Sequence, residues 1–309
     1  MIYFKDTTDF YVEEGTTLAL GKFDGLHSGH RYLMNFLMKE KRERNLKSVI
    51  FTFERPPKDE IEKCAHNVLS TNREKEFIFD YVGVDILIEC PFNDEIMHMK
   101  AEDFVKMLVD RLHIKSIIVG TDVAFGFERK GDYKLLTKMG PELGFDVILV
   151  HKKQFDGEDI SSTRIRGLIE EGDIEYANEL LGYEFFIQGV VSHGRHLGTT
   201  IGVPTINVIP AYRKILPPNG VYISRVRLQG KNYYGITDIG YKPTVGSNIL
   251  GTETHILDFN KDVYDEDVRV HLIKRIRGEI KFDSLDALKE QIAKDEAETR
   301  EYFKIVTND

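Results

Sequence analysis

The feature that most constrains this chain is a change of rhythm near Tyr183. Before it, short apolar runs alternate with helical patterns: "TTLALG" and "KSVIFTF" read as strands, and "RYLMNFLMKEKRER" between them reads as a helix. The helix groups Tyr32, Leu33, Phe36 and Leu37 on one face. "NREKEFIFDYVG" (Phe77, Ile78 and Tyr81 grouped), "VDILIECPF", "KAEDFVKMLVDRLH", "IKSIIVG" and "KLLTKMGPELGFDVILV" continue the alternation. Strands that alternate with helices predict a parallel sheet with helices on both faces.

After Tyr183 the period shortens to two. "GVYISRVRLQGKNYYGITDIG" reads as a hairpin turning at Gln229-Gly230, and "VRVHLIKRIRG" as a further strand. The second half is therefore mainly antiparallel β, a small barrel or sandwich, closed by the helix "SLDALKEQIAKDEAETREYF", with Leu285, Leu288 and Ile292 on one face and Ser284 or Asp283 as its cap. "STRIRGLIEEGDIEYANELLG" between the halves reads as two short helices broken at Gly172-Asp173. The expected class is α/β plus β-barrel, with domains at 1–182 and 183–309; a length of 309 residues suits two cores.

Composition narrows the partners. A net charge of -9 argues against a general nucleic-acid binder, which needs a basic face. No apolar run approaches the roughly 18–20 residues that span a bilayer. Cys64 and Cys90 form no CxxC, and no apolar signal region opens the chain, so the expected setting is a reducing cytoplasm. The oligomeric state is left open.

One stretch carries chemistry. "LALGKFDGLHSGHRYLM" places two histidines where a strand hands over to a helix. Gly21 and Gly25 permit a tight turn, and the helix that follows points free N–H groups at any anion placed there. His27 and His30 lie on neighbouring turns with Gly29 leaving space between them. Their imidazoles can donate hydrogen bonds to phosphate oxygens as charge builds in a transition state. An H-x-x-H pair alone also serves as surface decoration or a metal pair.

"GKFDGLHSGH" resembles the HxGH signature of nucleotidyltransferases, in the variant seen in bacterial bifunctional riboflavin kinase/FMN adenylyltransferases. "VGTDVAFGFERKGD", "ISSTRIR", "GVPTIN" and "ETHILDF" agree with that family, in its order and over nearly the whole chain. The resemblance implies two reactions: phosphorylation of riboflavin by ATP to FMN, and adenylylation of FMN to FAD with release of pyrophosphate. It implies nucleotide contacts at Gly21, Phe23, Asp24, Gly25 and Gly29, and again at Ser161, Ser162, Thr163 and Arg166, where hydroxyls, helix N–H groups and a guanidinium can hold phosphate.

It further implies a contact from Asp122 to nucleotide or flavin. Phe125 or Phe127 could stack on a planar ring, or tuck into the core. In the second half the resemblance implies that the loop with Gly194, Gly198 and Gly202, ahead of Pro204, wraps the phosphates of ATP. Thr205 and Asn207 offer hard oxygens suited to Mg²⁺, and Glu253 looks like the base that takes the proton of the riboflavin 5′-hydroxyl. His255 and Asp258 read as structural.

The chain departs from the family pattern at "FTFERPP", at Val123, at Thr199 and Val203, and at "DVYDED". Three other readings follow: a member with one effective activity, a cytidylyltransferase-type enzyme, and a non-catalytic flavin-sensing module. Retained His27, His30, Thr205, Asn207 and Glu253 count against the last. The second-half blocks count against the cytidylyltransferase.

Overall fold

A computed structural model describes residues 1–54, 67–193, 202–244 and 247–304, and its contacts divide the chain into two compact units, Met1–Ser162 and Thr163–Asp309. Gly194, Gly198, Thr199, Cys64 and Arg55 lie outside the described residues.

In the first unit the strands are β1 (Ile2–Lys5), β2 (Thr16–Leu20), β3 (Lys47–Phe53), β4 (Ile86–Cys90), β5 (Ile114–Gly120) and β6 (Asp146–Val150). Among the described residues they form one sheet in the order β1-β4-β3-β2-β5-β6, and every neighbouring pair is parallel. A short two-stranded ribbon follows, β7 (Gln154–Phe155) with β8 (Glu158–Asp159). The helices are α1 (Ser28–Arg44), α2 (Asn72–Val82), α3 (Asp94–His98), α4 (Ala101–Leu112) and α5 (Tyr133–Leu143).

β2 and β4 are buried along their whole length, which is why they read as continuous apolar runs. The chain leaves β2 toward β3 and β4 on one side and returns to β5 and β6 on the other. The carboxyl end of β2 is therefore the topological switch point, where open α/β sheets bind ligands.

Two helix faces differ from the sequence reading. α1 buries Leu33, Met34 and Leu37, while Tyr32 stays exposed and meets Phe36 edge to face at 5.3 Å. α2 buries Ile78 and Phe79, with Tyr81 exposed. In both cases neighbouring rings mimic a buried stripe although the adjacent row is the buried one.

The second unit takes up α6 (Ser162–Glu171) beyond its first residue, and α7 (Ile174–Leu181). Gly172, at φ 84°, and the Asp173 cap separate the two helices. Asn178 ties α7 to the strands that follow: its Nδ2 donates to the Leu272 carbonyl at 2.9 Å and its Oδ1 accepts from the Phe185 N–H at 2.6 Å. The contact division thus falls ahead of the helix pair, and the position expected from sequence falls just after it.

β9 (Phe186–Ser192), β10 (Thr205–Val208), β11 (Gly220–Leu228), β12 (Lys231–Thr244), β13 (Ser247–Ile256) and β14 (Asp267–Arg277) close an antiparallel barrel in the order β10-β13-β12-β11-β14-β9. The β11–β12 hairpin turns on Gln229 and Gly230, both at positive φ (49° and 77°), the backbone that a two-residue turn between right-twisted strands requires.

α8 (Leu285–Phe303) starts at the Ser284 cap, whose hydroxyl accepts from the Ala287 N–H. It does not bury the Leu285 stripe: Leu285 is exposed, and the buried positions are Asp295 and Thr299. The Arg277 guanidinium grips Asp295 with three bonds of 2.7–3.1 Å, so a polar anchor holds this helix.

Candidate active sites

In the first unit, the turn from β2 into α1 is strained by design of its sequence. Phe23, Gly25 and Leu26 all take positive φ (49°, 80° and 36°), a conformation that costs non-glycine residues energy and persists where the surroundings enforce it. Here they do. Phe23 is 1 % exposed and packs its ring on Phe79 and His30, and Asp24 Oδ1 accepts the N–H groups of Leu69 and Ser70 at 2.8 and 3.1 Å. These contacts brace the loop in which both residues were expected to meet nucleotide.

His27 caps α1. Its Nδ1 accepts the His30 N–H at 3.4 Å, which places the proton of the neutral ring on Nε2. The two imidazoles stack with centroids 3.8 Å apart. Burial pushes His27 down to about 4, with the Asp122 carboxylate partly opposing the shift; burial and the neighbouring His27 push His30 well below the ordinary histidine range. Near neutral pH both rings are therefore uncharged. His30 Nδ1 is buried without a hydrogen-bond partner among the described residues. A Cβ on Gly29 would meet His27 Nδ1 at 3.1 Å, so glycine here lets the ring lie against the helix.

Ser162 donates its hydroxyl to the Asp24 carbonyl at 2.8 Å, which joins the start of α6 to the histidine loop; Ser161 precedes it. Asp122 is exposed at the end of β5 and pairs with Lys152 at 3.1 Å. Phe125 is a core residue, packed against Phe104 and Gly131, while Phe127 is half-buried and its ring meets His98 at 5.4 Å. Thr163 and Arg166 belong to the second unit; Thr163 is exposed and Arg166 half-buried.

In the barrel, β10 and β13 run side by side with Asn207 opposite Glu253 and Thr205 opposite His255. Alternation puts Ile206, Val208, Thr252, Thr254 and Ile256 inside and leaves Thr205, Asn207, Glu253 and His255 half-buried on the other face. Thr205 donates its hydroxyl to Glu253 Oε1 at 2.6 Å. His255 Nδ1 meets the Pro204 carbonyl at 2.9 Å, and Asp258 pairs with Arg300 of α8 at 2.7 Å, so both hold structure around the site. Gly202, at φ 82°, opens onto free space. A small cavity of about 50 Å³ is lined by Pro204, Thr205, Thr254, Ile256 and Phe259.

Sequence reasoning missed three groups. Asp238 lies opposite Glu253 in the β12–β13 register. Lys75 faces Glu89 at 4.0 Å in a buried pair that also takes the Tyr3 hydroxyl. Lys152 sits beside Asp122. No spacing rule in the sequence marks any of them.

A histidine pair on a helix at the switch point of a parallel sheet, joined in one chain to a closed barrel carrying a threonine–glutamate contact, defines a two-site transferase of nucleotidyltransferase and kinase type. The FAD synthetase family profile matches residues 10–164, and the riboflavin kinase profile residues 181–303. The bifunctional riboflavin kinase/FMN adenylyltransferase of Escherichia coli K12 is 40% identical over 295 residues, 94% of each chain. That of Bacillus subtilis is 32% identical over 294 residues, 93% of this chain and 92% of its own. The chain belongs to the bacterial bifunctional riboflavin kinase/FMN adenylyltransferase family.

A crystal structure described as a macrolide-efflux protein from Streptococcus pneumoniae superimposes with a TM-score of 0.86 at 33% identity, covering 97% of this chain and 98% of that one. Among the described residues of this chain, no helix is long and apolar enough to cross a membrane.

Proposed function

We propose that the first unit joins FMN to the adenylyl group of ATP through His27 and His30, and that the barrel phosphorylates riboflavin with Glu253 as base. The observation that carries this is that each unit holds its own chemistry-bearing pair: stacked neutral imidazoles in one, a hydroxyl-oriented carboxylate in the other.

In adenylyl transfer an FMN phosphate oxygen attacks the α-phosphorus of ATP and pyrophosphate leaves. The neutral rings donate N–H bonds to phosphate oxygens as negative charge accumulates, and their fixed stacking avoids reorganisation during the step. No covalent intermediate is required when both phosphates are held in line. Ser161 and Ser162 support the phosphates, Asp122 and Phe127 the nucleotide and flavin.

In the kinase reaction the riboflavin 5′-hydroxyl attacks the γ-phosphorus of ATP, the bond to the β-phosphate oxygen breaks to release ADP, and the hydroxyl proton passes to Glu253. The Thr205 hydroxyl has one donor, used on Glu253, and two lone pairs that remain for a cation. With the Asn207 side-chain carbonyl it forms a neutral, hard-oxygen pair that fits Mg²⁺. The ion, when bound, supplies charge neutralisation across the ATP phosphates. We place the work in the cytoplasm.

Incubation with riboflavin, ATP and Mg²⁺ followed by separation of flavins tests the reading. FMN and FAD together support it. FAD from supplied FMN alone reduces it to one activity, and neither product overturns it.

A further inference from the structure

We propose that Lys152 is a positioning residue for adenylyl transfer, holding the Asp122 carboxylate at the carboxyl edge of the sheet and neutralising it beside His27. This rests on the adenylyltransferase reading of the first unit.

The argument begins at Gly120, the last residue of β5. A Cβ there would lie 3.0 Å from Asp122 Oδ1, so the Asp122 side chain folds back over the strand end. Lys152, two residues beyond β6, brings its Nζ to 3.1 Å from Asp122 Oδ2 and 3.7 Å from Asp159 Oδ2. Asp159 ends the β7–β8 ribbon, and its Oδ1 takes the Gln154 amide at 3.2 Å. One ammonium thus ties together the loop after β5, the segment after β6 and the ribbon that leads into Ser161 and Ser162.

Two groups act directly on the His27 ring in the contacts described. From α1 it meets His30, stacked on it, and from the β5 loop the Asp122 carboxylate, which works against burial on the His27 ring. Lys152 and Asp159 stand behind Asp122. The Asp24 carboxylate, on the histidine loop itself, is turned to the N–H groups of Leu69 and Ser70.

Without the ammonium, Asp122 would present an uncompensated negative charge to His27 and to an incoming triphosphate. The ring would protonate more readily, and the nucleotide would be repelled. A surface ion pair contributes little to folding, so the role assigned to Lys152 is electrostatic placement and not stability.

The test is a comparison of Lys152→Met, Lys152→Arg and the double variant Lys152→Met/Asp122→Asn in the full chain. Two readouts are the His27 ring titration by NMR and the ATP KM for FAD formation. Lys152→Met is expected to move the His27 titration upward by about half a pH unit or more, and to raise KM for ATP about tenfold with a smaller change in kcat. Lys152→Arg should restore both, and Asp122→Asn in the Met background should bring the titration back to the parent value or below. The titration reads the tie whether or not the protein makes FAD, so failure of the enzymatic reading and failure of the tie are told apart. A His27 titration unmoved in Lys152→Met, or moved equally in Lys152→Arg, would overturn the assignment.

Discussion

Thr205 and Glu253 come from different strands of the barrel, and the hydroxyl of one lies 2.6 Å from the carboxylate of the other. A flexible glutamate becomes an oriented base when one of its oxygens is pinned. Thr205→Val keeps the shape and deletes the donor, and FMN formation is expected to fall about tenfold or more, toward the lower end of what a positioned base contributes. Thr205→Ser should stay within about threefold of the parent rate by the same standard. Equal riboflavin phosphorylation in Thr205→Val and the parent would detach the hydroxyl from the reaction.

The histidine pair sets a pH dependence whose sign follows from its burial. His27 binds its proton at about 4 in the folded chain, against an ordinary value of 6.5, and His271, buried on β14, behaves alike. Between those values the unfolded chain holds protons that the folded chain does not. The stability these groups supply is fully present above pH 6.5 and is lost as pH falls toward 4. Urea unfolding at pH 7 and pH 5 should show a lower midpoint at pH 5, and FAD formation should lack an acid limb at the ordinary histidine pKa. An acid limb centred there would mean that these rings act as ordinary exposed imidazoles.

How much of this was legible in the sequence depends on whether the signal is local. The β/α alternation, the Gln229-Gly230 turn and the break at Gly172 are set by neighbouring residues, and each lies where its pattern places it. Helix faces were read less well. α8 buries Asp295 because Arg277 on β14 meets it, a contact between residues eighteen positions apart that no apolar period announces. Phe23 and Phe125 stand beside glycines in the sequence, and that their rings pack on Phe79 and Phe104 is a long-range fact no local pattern carries. The histidine pair was visible because helix spacing brings it together; the Asp122–Lys152 tie was not, because three separate segments make it.

Gly29 separates folding from chemistry. Replacing a helical glycine with alanine ordinarily stabilises a helix by up to about 1 kcal/mol. Here the new methyl would press on the His27 ring at 3.1 Å from Nδ1. Gly29→Ala is expected to unfold no more easily than the parent while FAD formation from FMN falls about tenfold to a hundredfold, the scale on which small misplacements cost rate. Unchanged adenylylation would show that the ring need not lie where it does.

Arg277 and Asp295 fasten the closing helix. Asp295 is 3 % exposed, and Arg277 keeps some contact with water. Asp295→Ala should therefore cost about 3 kcal/mol, the low end for breaking a buried pair. Urea unfolding measures it; a loss below about 1 kcal/mol, the range of a surface pair, would mean that α8 is held by other contacts.

The central claim is that two sites in one chain work separately, and two variants assayed on both reactions test it most directly. Glu253→Gln should lower FMN formation from riboflavin by about a hundredfold and leave FAD formation from supplied FMN within about twofold, as independent sites in separate units couple weakly. His30→Ala should abolish FAD formation and leave FMN formation intact. A folded variant of either kind that loses both reactions, or a Glu253→Gln protein phosphorylating riboflavin within about threefold of the parent rate, below the range of a positioned base, would contradict it.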